Sequence, residues 1–182
     1  MKRLLIGLFA VAVTLGGGLA TNAQDAADPS GSSVEGMHIS PLMDAAGNEV
    51  GLVAIGNDGA GVGGTILVHG LVPGEHGIHL HAVGSCDPEG EKPFDSAGPH
   101  FNPEELMHGS HAGDIGNLIA DENGDAVFLL RSSAWTLDDG MHGLADADGT
   151  ALVIHETVDD LVTDPSGNSG ARIACAVLFA SQ

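Results

Sequence analysis

Gly51-Leu-Val-Ala-Ile-Gly-Asn-Asp-Gly59, followed at once by Thr65-Ile-Leu-Val-His-Gly-Leu71, decides how this chain folds. Two short apolar, β-branched runs are parted by residues that turn the backbone: Gly supplies positive φ, and Asn and Asp bond the local main chain. The same unit recurs along the chain. Further strands are predicted at Gly77–His81, Ala126–Leu130, Thr150–Thr157 and Arg172–Phe179, and turns at Asp44-Ala-Ala-Gly-Asn48, Pro73-Gly74, Asp121-Glu-Asn-Gly-Asp125, Asp138-Asp-Gly140 and Asp146-Ala-Asp-Gly149. No segment carries a sustained helical period with caps, so the pattern predicts an all-β, antiparallel sandwich or barrel. Two stretches, Gly84 to Asn117 and Glu156 to Gly170, lack strand character. Loops that long inside a compact domain are usually functional. Aromatic residues are few, so the core is expected to be mostly Val, Ile, Leu and Ala, with Trp135 as a packing or surface residue.

With 182 residues the chain suits one domain with a real core. Lys2 and Arg3, an apolar stretch from Leu4 to Leu15 and small residues up to Ala23 follow the secretory pattern, so residues 1–23 are expected to be a signal peptide. That apolar stretch is shorter than the roughly 20 residues that span a bilayer. Residues 24–32 read as a flexible leader, order is expected from near Val34, and the domain is assigned to 33–182. The protein is therefore expected to be exported, periplasmic or secreted, where two cysteines read more readily as a disulfide than as free thiols. Net charge is −20, and loss of Lys2 and Arg3 with the signal takes it to −22, leaving only Lys92, Arg131 and Arg172 as basic residues. Such a surface argues against nucleic acid or an anionic membrane as a partner.

Histidines flank the long loops in three clusters. Residues two apart on a strand share a face, so His79 and His81 can aim at one ion while Leu80 packs the other way. His155, in another apolar strand, can add a third imidazole, and an all-nitrogen tetragonal set favours copper. A lone His-x-His carries little weight; the other clusters supply it. His108, His111 and Asp114 recur every three residues where Gly109, Gly113 and Gly116 oppose a helix. With His100 they offer three nitrogens and one oxygen, a closed set typical of structural zinc.

Gly77-Ile-His-Leu-His81, Ser96-Ala-Gly-Pro-His-Phe-Asn-Pro103, His111-Ala-Gly-Asp114, His155-Glu-Thr-Val-Asp-Asp160 and Gly167-Asn-Ser-Gly-Ala-Arg-Ile-Ala-Cys175 together resemble the signature segments of copper–zinc superoxide dismutases. The resemblance runs from about Val34 to Gln182. It implies a Greek-key barrel of about eight strands and an enzyme that converts superoxide to oxygen and hydrogen peroxide by cycling copper between Cu(II) and Cu(I). Copper would be held by His79, His81, His100 and His155, and zinc by His100, His108, His111 and Asp114, with His100 shared. Asp159 would hydrogen-bond a copper ligand and a zinc ligand together, and Arg172 would guide the anion as a catalytic residue beside His100. Cys86 and Cys175 would form the internal disulfide. His38, His69, His76 and His142 match no ligand position. The zinc loop is shorter than in animal members, and the loop from His155 to Arg172 lacks the lysine that often assists attraction there. A homodimer accords with the resemblance, although no interface motif is legible. An exported module that binds or delivers copper and zinc without turnover is the alternative reading.

Overall fold

The computed structural model describes residues 32–34 and 36–182. The signal peptide and all of the expected leader but Ser32 lie outside them, and Ser32 already belongs to the first strand. The strands are β1 (Ser32–Val34), β2 (Met37–Asp44), β3 (Glu49–Asn57), β4 (Val62–Val68), β5 (Gly74–His81), β6 (Asp114–Ala120), β7 (Ala126–Ser132), β8 (Thr150–His155) and β9 (Arg172–Phe179), with one 3-10 turn at Asp95–Ala97. Every pairing between them is antiparallel. The sheet runs β6-β5-β8-β9-β2-β3-β4-β7, with β1 added beside β2. Its end strands β6 and β7 are joined by the turn at Asp121–Asp125 and lie close together, which nearly closes a Greek-key barrel.

Alternation fills the barrel. Val62, Ile66 and Val68 of β4, Ile78 and Leu80 of β5, and Leu152 and Ile154 of β8 point into one core with Leu42, Val53, Ile55, Leu118 and Leu178. Strand β8 is buried at every position. Its second face, Ala151 and Val153, is covered by Phe94, Ala97 and Cys175, with Cys86 packed against them. The loop after β5 thus forms a roof over the outside of the barrel. The Cys86–Cys175 disulfide, with a Cα–Cα distance of 5.7 Å, fastens that roof to β9. Trp135 is a packing residue: it is buried, and its Nε1–H donates to the Ala112 carbonyl at 2.7 Å.

Three strands lay outside the sequence-based expectation: β1, which takes in the end of the assigned leader, and β2 and β6. Strand β2 escaped it because Pro41 sits mid-run. The strand pairs with β1 through Met37–Ile39 and with β9 only at Met43 and Asp44, so beside Pro41 the missing N–H costs no ladder bond on that side. Strand β6 begins inside the stretch assigned to a loop. Gly116 and Asn117 are poor strand formers, yet Leu118 and Ala120 are buried and the strand pairs with β5 from Gly74↔Ala120 to His79↔Asp114. Strand β4 also starts earlier and stops earlier than predicted, so His69 and Leu71 lie outside it, and β8 ends at His155 rather than Thr157.

The disulfide closes a separation of 89 residues, which in the chain-entropy account stabilises the fold by about 4–5 kcal/mol. Cys86→Ser/Cys175→Ser is therefore expected to lower the denaturation midpoint sharply in urea unfolding followed by circular dichroism. An unchanged midpoint would contradict this role.

Candidate metal centre

Because Ile78 and Leu80 face the core, His79 and His81 face outward under the roof. The register carries this face across the sheet: His79 lies opposite Val153 and His81 opposite Ala151, and His155 follows at the end of β8, opposite Arg172 beyond a bulge. His100 is brought beside them by an isolated bridge to His81, with its neighbour Phe101 buried in the barrel core. The ring centroids of His79 and His100 are 3.9 Å apart, those of His79 and His155 4.8 Å, and those of His81 and His100 5.0 Å. One ligand-capable atom from each of His79, His81, His100 and His155 lies within 4.8 Å of all the others. The same holds for His100, His108, His111 and Asp114. All the histidines and the aspartate singled out from the sequence as ligands therefore converge.

Hydrogen bonds choose which nitrogen of each ring is free. His79 Nε2–H donates to Asp159 Oδ2 at 2.9 Å, His81 Nδ1–H to the Gly98 carbonyl at 2.9 Å, and His155 Nδ1–H points at the Gly170 carbonyl at 3.4 Å. These partners only accept, so the opposite nitrogen of each neutral ring carries a lone pair. Those nitrogens, His79 Nδ1, His81 Nε2 and His155 Nε2, are buried without a partner, as is His100 Nε2. An unsatisfied buried polar atom costs about 1–3 kcal/mol, so a cluster of four calls for a cation. In the second set, Nδ1 of His100, His108 and His111 lies 2.9, 3.3 and 3.1 Å from Asp114 Oδ1. Three nitrogens and one hard oxygen suit zinc, and four nitrogens suit copper. His100 belongs to both sets, with Nδ1 towards Asp114 and Nε2 towards the all-histidine set.

Asp159 joins the two halves. Its Oδ2 accepts from His79 and its Oδ1 from His108 Nε2–H, both at 2.9 Å, and all three side chains are fully buried. Asn117 holds it in place, accepting the Asp159 N–H at 2.7 Å and donating to its carbonyl at 2.9 Å. Asp164 accepts the His108 N–H at 2.6 Å, and Asp114 Oδ2 accepts the N–H groups of Gly109 and His111. Neither Asn117 nor Asp164 was legible in the sequence, since each acts through partners 42 or 56 residues away.

Electrostatics keep the rings neutral. Burial, with the neighbouring His100, pushes His79 down to about 4, against the pull of Asp159. Burial, with His79, pushes His155 down to about 3, and burial with Arg172 pushes His81 well below its ordinary 6.5. Burial raises Asp114, but hydrogen bonds from His100 and His111 outweigh it and hold the carboxyl at about 2. Asp159 is lowered in the same way, burial opposing the bonds from His79 and His108.

The first set opens on a cleft of about 1020 Å³ lined by His81, His100, His155 and Arg172. Arg172 is clamped by the roof: Nη1 donates to the Phe94 carbonyl and Nη2 to the Gly98 carbonyl, each at 2.6 Å. Lys92, which the sequence reading left without a role, lines the same cleft, together with Asp95, Asp146, Asp148 and Asp164. Of the other histidines, His76 is buried between the carbonyls of His155 and Val72, His38 stacks on Phe179, and His142 lies 3.6 Å from Glu104.

Fold and site agree with what the chain resembles. A sequence profile described as Copper/zinc superoxide dismutase (SODC) matches residues 49–178. The superoxide dismutase-like protein YojM of Bacillus subtilis is 37% identical over 157 residues, covering 81% of this chain and 78% of that protein. An extracellular Cu-Zn superoxide dismutase of Haemonchus contortus is 36% identical over 141 residues, covering 71% and 73%. The crystal structure of a SOD-like protein from Bacillus subtilis superposes with a TM-score of 0.71 at 37% identity, covering 78% of this chain and 97% of that one. The chain belongs to the copper/zinc superoxide dismutase family, whose members bind copper and zinc.

Because the buried imidazoles have lowered pKa values, the unfolded chain binds more protons than the folded one as pH falls below 6.5. In metal-free protein their contribution to stability is fully present above 6.5 and is lost as pH falls towards about 4, and Asp114 and Asp159 add a loss below 3.8. Urea midpoints of chelator-treated protein across this range should fall steadily with acid; a midpoint that rose would contradict burial of neutral rings.

Proposed function

We propose that this protein is an exported superoxide dismutase, with copper held by His79, His81, His100 and His155 and zinc by His100, His108, His111 and Asp114. The observation that carries the reading is the group of four partnerless imidazole nitrogens, three of whose rings, His81, His100 and His155, line a cleft that Arg172 also lines, with His79 buried behind them. When bound there, copper supplies the one-electron chemistry that takes two superoxide anions and two protons to oxygen and hydrogen peroxide. Export is supported by the disulfide, by the secretory pattern of residues 1–23 and by the extracellular relative from Haemonchus contortus.

The chain's own residues supply the rest. Arg172 spends two of its five N–H donors on the roof carbonyls and keeps the others for a small anion. Burial lowers its pKa, Asp95 opposes this, and the guanidinium remains charged. Lys92 adds a second cation to the cleft wall in place of the lysine absent from the loop before Arg172. His100 lines the cleft, so whenever its Nε2 is not engaged as a ligand it would hold a proton there and pass it to a superoxide-derived anion. Asp159 holds His79 and His108 in fixed tautomers, so their free nitrogens need no reorganisation. Gly98 serves twice, since its carbonyl orients His81 and Arg172 together.

Metal analysis and superoxide turnover of the mature protein test the reading. His155→Ala is expected to lose copper and turnover together. Arg172→Ala is expected to keep copper while turnover falls about tenfold or more, the scale of electrostatic steering, with Lys92→Ala losing less. Wild-type protein carrying both metals but inert towards superoxide would overturn the proposal and leave a metal-binding or delivery module.

The net charge of −20 opposes an approaching anion most strongly at low salt, where screening reaches about 30 Å at 0.01 M against about 3 Å at 1 M. Turnover should therefore stay flat or rise as salt is first added. A steep fall from the lowest ionic strength upward would show attraction, not repulsion, to be in control.

A further inference from the structure

The Asp159 carboxylate is hemmed in from behind by two positions that carry no side chain. A Cβ on Gly167 would collide with Asp159 Oδ1 and lie 2.6 Å from His108 Nε2. A Cβ on Gly77 would lie 2.9 Å from Ser169 Cβ, 3.2 Å from Asp159 Cβ and 3.4 Å from His79 Cε1. Gly167 therefore abuts the carboxylate oxygen that serves His108, and Gly77 abuts the ring that the other oxygen serves. The Gly167 contact can relax only by moving Asp159 Oδ1, which breaks its bonds to His108 and to the Leu161 N–H. Gly77 sits in β5 opposite Asn117, the residue that anchors Asp159. Gly167 is pinned at φ +61 by its N–H to the Thr163 carbonyl at 2.6 Å and by its carbonyl to the Asp160 N–H at 2.8 Å.

We infer that Gly167 and Gly77 are positioning residues that set where the Asp159 carboxylate lies between His79 and His108, Gly167 governing the zinc half of the centre and Gly77 the copper half. This rests on the assignment of metals proposed above. Any side chain at Gly167 displaces Oδ1 from His108, releasing the ring whose Nδ1 faces the zinc set. At Gly77 the crowding is milder: it falls first on Ser169 Cβ and then on Asp159 Cβ, so it reaches the His79 ring, itself in ordinary contact, by way of the carboxylate bonded to it. The two positions thus act on different metals through one carboxylate. That division would not arise from a general loss of stability.

The test is metal affinity, measured by chelator competition with zinc and with copper on full-length mature protein, in Gly167→Ala, Gly77→Ala, Asp159→Ala and Asp159→Ala/Gly167→Ala. Gly47→Ala is the control, since Gly47 has φ +81 but nothing within 4 Å of a Cβ, and it isolates the backbone cost. Gly167→Ala is expected to weaken zinc binding about tenfold or more, the usual size of an effect transmitted through a ligand's hydrogen-bond partner. Once Asp159 is truncated, Gly167→Ala should cost less zinc affinity than it does in the wild-type background, because the clashing carboxylate has gone and the His108 ring, no longer bonded at Nε2, can turn away from the new Cβ. Gly77→Ala should alter the copper(II) electron paramagnetic resonance spectrum while zinc affinity stays near that of wild type. Should Gly167→Ala fail to fold, folding of the double variant carries the proposal and its failure overturns it. Unchanged zinc affinity in Gly167→Ala, or an equal loss with and without Asp159, would also overturn it. His108→Ala, run alongside, reports on the zinc assignment separately: zinc binding undiminished there would sink that assignment, whatever the glycines do.

Discussion

Four imidazole nitrogens are buried together on the outside of a β-barrel with no hydrogen-bond partner, and most of the structure around them exists to keep them so. Strands β5 and β8 supply the floor, because their inward residues fill the core and their alternate residues must face out. An exposed outer face would let water satisfy the rings. The roof from Cys86 to His100 and the loop from Glu156 to Gly170 exclude it, while carbonyls and Asp159 occupy the far side of three of the four rings. Burial then costs the charged form, so His79, His81 and His155 stay neutral and available as ligands.

The disulfide and the arginine belong to the same device. Cys86 ties the roof to β9, three residues beyond Arg172, and the roof returns the carbonyls of Phe94 and Gly98 that grip the guanidinium. On the proposed function, long-range charge would work against the anionic substrate of this acidic chain, and the cleft wall itself carries Asp95, Asp146, Asp148 and Asp164. Attraction is therefore local and short in range: two cations and a cleft placed within reach of the metal-binding rings.

Much of this was legible because it depends on periods and identities. Alternation located six of the strands, strand parity paired His79 with His81, the spacing of His108, His111 and Asp114 marked the second set, and the family resemblance supplied His100 as the ligand common to both. Strand β2 was not legible, because whether Pro41 harms a strand depends on whether a neighbour lies beside it. Strand β6 was not, because Gly116 and Asn117 adopt a strand only through pairing with β5. Lys92 was only one of three remaining basic residues, with no role attached, and nothing local marks Asn117 or Asp164 as supports for residues far along the chain.

From the chain alone came the fold class, the candidate ligands and their division into an all-nitrogen set and a set with one carboxylate, because these rest on residue chemistry and short-range geometry. Tertiary structure alone decided which nitrogen of each ring is free, that His100 presents a different nitrogen to each set, and that glycines must stand behind Asp159. Those outcomes depend on hydrogen bonds and contacts between segments that can lie 80 residues apart or more. No local pattern encodes which carbonyl or carboxylate will meet a ring once the barrel closes.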